Sequence, residues 1–166
     1  MSISENIRDK LNSQINLEFE SAYLYLGMAA WFEQNKLPGF GSWMRLQAEE
    51  ELRHGMRIYA YMSEQGSMTR LRDLSAPQQD WKSGLEIVKA ALVHEQKVTR
   101  SIHAIVDEAE TTKDHATVSM LRWFVDEQVE EEATLGDIID RLQLAGDGSG
   151  LLIIDAELAK RPENQA

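Results

Sequence analysis

The chain has no cysteine among its 166 residues. That excludes disulfides, thiolate-bound zinc, iron–sulfur clusters and rubredoxin-type centres. Proline occurs three times and glycine ten, so few positions can interrupt a helix. Basic residues are in the minority, 17 against 28 acidic ones, and the formal net charge is -11. Nucleic acid and anionic membranes both require a basic footprint, so neither is expected as a partner; the acidic balance instead suits a protein that attracts cations. No run of about 18 apolar residues exists to span a bilayer, and the opening MSISENIRDK has no apolar secretory core. A cytoplasmic protein is the expectation. What the chain does have is 43% hydrophobic and 27% charged residues, the balance of a folded protein, at a length suited to one domain over residues 1–166.

Hydrophobic periodicity predicts an all-α fold, with helices at about 4–34, 40–65, 83–111, 114–145 and 150–160. In "NKLPGF", Pro38 and Gly39 mark a turn after the first helix, and Gly66 stops the second. Ser83 with Glu86 reads as a capping box opening the third, and "GDGSG" ends the fourth. The segment "GSMTRLRDLSAPQQDWK" has no clear period and is long for a connection within a compact domain. Two short connections and one long one describe two antiparallel hairpins joined by a crossover, a known way to close a four-helix bundle. Leu71, Leu74 and Trp81 of the crossover are expected to be exposed and to need a partner surface.

Each helical stripe carries an acid near its middle. The first holds Glu18, with Tyr25 further along; the second holds Glu51 and His54; the third Glu95; the fourth Gln128 and Glu131. Four buried, unpaired carboxylates would cost several kcal/mol each, and the stripes offer few basic residues to offset them. A metal cluster neutralises all four together. Glu51 and His54, at i and i+3, lie on one helix face and can share an ion. Carboxylates with one imidazole suit Fe(II), Mn(II) or Zn(II), and this many carboxylates suit a bridged pair of ions with open positions for oxygen. Glu49 lies about 200° around the helix from Glu51 and is expected on the solvated face. Taken singly, these residues have plainer readings: Glu-x-x-His as a solvated face, Tyr25 and Trp123 as core packing. The coincidence on all four helices is what favours the metal.

The segments "QINLEFESAYLYL", "EEELRH", "HEQKVT", "LRWFVDEQVEEE" and "LLIIDAEL" together resemble the ferritins, most closely the haem-free bacterial and archaeal ones, over nearly the whole chain. The resemblance implies a ferritin-like four-helix bundle with one long crossover from helix two to helix three and a short fifth helix. It implies an iron-storage protein with ferroxidase activity, oxidising Fe(II) with O2 or H2O2 and keeping ferric oxide mineral in a hollow 24-subunit cage. It places Glu18, Glu51 and His54 at a first iron, and Glu51, Glu95 and Glu131 at a second. Gln128 would lie near the ions or the oxygen, and Tyr25 would hydrogen-bond within the site and supply an electron. Glu50, Glu127 and Glu130 resemble the ligands of a third, inner-surface iron site that shares Glu131. Glu127, Glu130 and Glu131 stand at i, i+3 and i+4, on one side of a helix.

The chain departs from the haem-containing bacterioferritins at two points. Their haem-ligating methionine falls between the Glu and His of the second helix, where this chain has Leu52, and their second Glu-x-x-His is here Gln128 and Glu131. Haem is therefore not expected. The main alternative is a rubrerythrin-like di-iron peroxidase or another di-metal carboxylate oxidase. Such bundles usually present two Glu-x-x-His pairs, and rubrerythrins add a cysteine-held iron. A small cage that binds and protects DNA is opposed by the acidic charge and the fifth helix.

Overall fold

Five helices carry all the regular structure in the computed structural model, which describes residues 3–146 and 148–162. Met1, Ser2, Asp147 and residues 163–166 of the expected 1–166 domain lie outside the described residues. The helices are α1 (Glu5–Gln34), α2 (Pro38–Glu64), α3 (Gly84–Thr111), α4 (His115–Ala145) and α5 (Ser149–Leu158). The expected all-α class and the five-element order are both present, with boundaries shifted by one or two residues. None of the described helices is long and apolar enough to cross a membrane.

Local chemistry explains most ends. Ser4 Oγ accepts from the Ile7 N–H at 3.3 Å, and Asp114 Oδ1 accepts from the Thr117 N–H at 3.1 Å, each satisfying a donor of a first helical turn. Ser83 Oγ accepts from the Glu86 N–H at 3.1 Å, as the capping box requires, but Glu86 turns back to the Lys82 N–H at 2.6 Å. Gly66 ends α2 with φ at +66°, a conformation in which a side chain would be strained.

The first turn differs from its expected place. Pro38 and Gly39 do not form it; they are the first residues of α2, and the turn falls at Asn35–Leu37. Proline suits a first helical position, where its missing N–H has no intrahelical partner to lose. Gly39 is there because α5 crosses it: a Cβ at that position would lie 1.8 Å from the Asp155 carbonyl oxygen. Leu37 provides no side-chain cap for α2, and Asp155 supplies one from α5, its Oδ1 accepting from the buried Phe40 N–H at 2.9 Å. Asp155→Ala is expected to lower stability by about 1 kcal/mol, as for other lost caps. Gly39→Ala should cost more, since its methyl group forces α5 off α2. Thermal unfolding of both variants checks this, and a Gly39→Ala protein that melts with the parent would contradict the docking.

α1 packs most extensively on α2, and α3 on α4, while α1 also meets α3 and α5 lies across α2 and α4. The crossover, residues 65–83, runs over α1. Asn12 Oδ1 accepts from the Arg70 N–H at 2.7 Å, and Pro77 stands next to Gly27. Leu71 and Leu74 are exposed as expected, but Trp81 is not: it is half-buried against the core, covering the end of the bundle.

The interior divides into two apolar clusters. One gathers Phe32, Phe40, Met44, Val88 and Leu135; the other gathers Leu11, Ile58, Ile102, Leu121 and Phe124. Between them the buried residues are polar: Glu18, Glu51, His54, Glu95, Gln128 and Glu131. The helices thus converge on a layer that apolar packing cannot explain.

Candidate metal centre

Each of the four long helices contributes to the polar layer. Glu18 comes from α1, Glu51 and His54 from α2, Glu95 from α3, and Gln128 and Glu131 from α4; none is more than 6% exposed. One ligand atom each from Glu18, Glu51 and His54 lies within 4.8 Å of the others, the spacing of a cation site. Gln14, one helical turn before Glu18, donates to Glu18 Oε1 at 2.7 Å. No donor from the rest of the protein reaches the other Glu18 oxygen or either oxygen of Glu51, all three buried; the two acids can bond only to each other, and only when one carries a proton. His54 Nδ1 faces Glu51 Oε2 at 3.4 Å, within one helical turn.

Glu95 is held differently. The Tyr25 hydroxyl donates to its Oε1 at 2.7 Å, and Gln128 Nε2 donates to its Oε2 at 3.0 Å. Glu131 Oε2 accepts from Gln47 Nε2 at 2.8 Å. Gln47 lies on the α2 stripe one turn before Glu51, so its position was visible, but an amide carries no metal signature and was not singled out. Trp123 meets the His54 ring edge-on at 5.2 Å, with the Arg57 guanidinium 4.3 Å from the indole centroid. It packs against a site residue and does not touch the acids' free oxygens.

Burial sets the charge state of the layer. It pushes the Glu18 carboxyl up to about 7, with Glu95 adding repulsion, against the Gln14 hydrogen bond. Burial raises Glu51 and Glu131 well above the usual carboxylate range, and repulsion from Glu95 adds to each. Burial also lowers His54 to about 4, with Arg53 and Arg57 contributing, so its imidazole is neutral at pH 7 and keeps a lone pair to donate. Three unpartnered carboxylate oxygens beside a neutral imidazole are all electron-pair donors. This donor set, without any thiolate, fits Fe(II), Mn(II) or Zn(II).

A second group of ligand atoms, from Glu50, His54, Glu127 and Glu131, also lies within 4.8 Å. It opens into a cavity of about 760 Å³ between α2, α4 and the end of α5. The sequence grouped Glu50 and Glu127 with Glu130 and Glu131. The structure instead brings His54 into that group and leaves Glu130 exposed on the cavity wall. Glu49 is exposed, as its helical angle predicted. Leu52 is half-exposed over an apolar groove on the opposite side of α2, beside Phe19 and Leu26. Arg161, which sequence reasoning passed over, reaches into the cavity and hydrogen-bonds Gln47 and Glu50. As a single basic residue near the C-terminus, it gave no pattern to detect.

Known proteins are similar to this chain in sequence and in fold. Residues 8–145 match the family described as the ferritin-like domain. A bacterial non-heme ferritin from Staphylococcus aureus is 41% identical over 160 residues, covering 96% of each chain. A probable bacterial non-heme ferritin-like protein from Haemophilus influenzae is 37% identical over 157 residues, 94% of this chain and 95% of that one. Among solved structures, an open-pore ferritin from the hyperthermophilic archaeon Archaeoglobus fulgidus superposes with a TM-score of 0.95 at 44% identity, over 96% of this chain and 98% of that one. A closed form of the Archaeoglobus fulgidus ferritin, engineered by site-directed mutagenesis, gives the same TM-score at 45% identity, over 97% and 99%.

Proposed function

The chain belongs to the ferritin family, and on that premise we propose that it oxidises Fe(II) at a two-iron centre and stores the ferric product. The observation that carries this reading is the trio of buried, unpartnered oxygens on Glu18 and Glu51, next to a neutral His54. Left as they are, these groups cost stability; with a divalent cation among them they are satisfied.

In this reading Glu18, Glu51 and His54 bind one Fe(II) as substrate. Glu51, Glu95 and Glu131 bind the second, with Glu51 bridging. Tyr25 and Gln128 orient Glu95 through the hydrogen bonds described above, and Gln47 orients Glu131. Such partners of a ligand typically contribute 10–100-fold, by fixing which oxygen faces the metal. Each Fe(II) gives up one electron. Dioxygen accepts the pair with two protons and leaves as hydrogen peroxide, or peroxide accepts them and leaves as water. Where dioxygen is reduced fully to water, which takes four electrons and four protons, two electrons would come from the paired irons, one from a third iron and one from Tyr25, which is held against Glu95. Glu50, Glu127 and Glu131, with His54 beside them and Glu130 on the cavity wall, would form the third site, through which Fe(III) leaves for the mineral.

A bundle has no room for a mineral, so storage requires a hollow assembly; the family resemblance implies 24 copies, and at 18.9 kDa per chain that is about 450 kDa. The protein would be cytoplasmic, with Fe(II), O2 or H2O2 and its own copies as partners and no haem. Size-exclusion chromatography before and after aerobic Fe(II) addition tests this. The expected result is a particle near that mass holding far more iron atoms than chains. A dimer that stops at two or three iron atoms per chain would instead fit a di-metal oxidase.

A further inference from the structure

The cavity beside Glu131 already contains a positive group. Arg161 follows the last turn of α5, and its guanidinium donates to Gln47 Oε1 and to Glu50 Oε2. It also lies 5.1 Å from the centroid of the Trp43 ring. The side chains of Arg161 and Glu50 are only 16% and 6% exposed, so this ion pair is largely shielded from water. Its charge reaches further, offsetting part of the upward push that burial exerts on Glu127 and Glu131.

Glu50 is therefore claimed twice. It is bonded to Arg161, and it is one of the four groups whose ligand atoms lie within 4.8 Å, with His54, Glu127 and Glu131. A guanidinium stays charged at any pH the protein meets, and its planar fork fixes where that charge sits. A divalent ion entering the group would meet a like charge bonded to one of its own ligands.

We propose that Arg161 is a tethered counter-cation of the second cluster, holding Glu50 while the cluster is empty and yielding it, with the end of α5, when a divalent ion enters. Gly39 and Asp155 set this up by docking α5 so that its end overlies the cavity. Arg161 makes no hydrogen bond to Glu18, Glu51 or His54 in the central cluster. The chain thereby ranks its clusters, the central one filling first and the outer one resisting. The inference rests on the reading that both clusters take divalent ions.

Zn(II), which is redox-inert, is the probe. It would be titrated calorimetrically into the assembled full chain at pH 7, with sites located by anomalous scattering at the zinc edge. Arg161→Gln is expected to tighten zinc at the outer cluster about tenfold, because a like charge has been removed, with a smaller effect at Glu18, Glu51 and His54, to which Arg161 makes no hydrogen bond. Arg161→Lys should tighten it about threefold, since the charge stays but the fork is lost. Adding Glu50→Gln to Arg161→Gln should reverse the gain. Zinc should also raise the melting temperature of Arg161→Gln more than that of the parent. Unchanged or weaker outer binding in both single variants, with the central cluster still occupied, would overturn the proposal. Absence of zinc from the central cluster in the parent would overturn the underlying reading, and this inference with it. If Arg161→Gln does not assemble, Arg161→Lys alone decides.

Discussion

Replacing Glu51 with glutamine is expected to raise the stability of the metal-free protein and to slow Fe(II) oxidation by at least about 100-fold. The two effects have one cause. Glu51 is 1% exposed, no neutral donor reaches either of its oxygens, and its neighbours include Glu18, Glu95 and Glu131. Burial and these neighbours hold its carboxyl protonated at pH 7, so the folded metal-free chain must take up a proton that glutamine does not need, and Glu51→Gln removes that cost. For a chain of this length, each kcal/mol raises the melting temperature by about 2–4 °C. The oxidation loss follows because even partners of a metal ligand are worth about 10–100-fold, and Glu51 would contact both ions directly. Calorimetry in chelator and stopped-flow oxidation read the two effects separately. A purely structural Glu51 predicts a fall in stability and little change in rate, so the opposite signs separate the accounts.

The metal-free protein is expected to be more stable at pH 6 than at pH 7.5. Glu18 is raised from 4.5 to about 7 by burial. Below pH 4.5 it is protonated both folded and unfolded, so nothing is lost. As pH rises from 4.5 to 7 the unfolded chain releases a proton that the folded chain keeps, and folding weakens throughout that window. Above pH 7 the full cost applies, of order 3 kcal/mol at about 1.4 kcal/mol per pKa unit. Glu51 and Glu131 act in the same direction. His54 and His94 oppose it: both are lowered to about 4 by burial, so their contribution is present above pH 6.5 and lost as pH falls from 6.5 towards 4. Above pH 6 most of the histidine contribution is still in place, and three carboxylates outweigh two imidazoles. A bound divalent ion removes the carboxylate cost, so Zn(II) should raise the melting temperature more at pH 7.5 than at pH 6. A metal-free protein that gains stability steadily from pH 6 to 7.5 would contradict the charge state assigned to the layer.

Which parts of this were legible in the sequence follows from what periodicity can encode. Every position of the α2 stripe from Phe40 to Tyr61 and of the α4 stripe from Leu121 to Leu142 is buried, acids included. A fixed spacing of three and four could therefore place Glu51, His54, Gln128 and Glu131 together before any coordinates. In α1 and α3 the same spacing, which would put Ala22, Leu85 and Leu92 in the core, drifts: those three are only half-buried, while Ser21, Ile87 and Ala91 take the core positions. A heptad reading slips by about 20° per seven residues on a straight helix, enough to exchange neighbours over long runs. Asp155 and Arg161 were illegible for a different reason. Each acts on a helix more than a hundred residues away, on Phe40 and on Gln47 and Glu50. No local period links such pairs. Trp81 shows the same limit: an aromatic residue in an aperiodic segment looks exposed until the bundle end that it covers is known.

The central claim is that the polar layer between the two apolar clusters is a two-iron centre. A crystal soaked anaerobically in Fe(II), with anomalous differences collected at the iron edge, tests it most directly. The account predicts two adjacent peaks within the bundle, one among Glu18, Glu51 and His54 and one among Glu51, Glu95 and Glu131. Iron confined to surface carboxylates, with the bundle interior empty under the same soak, would contradict it.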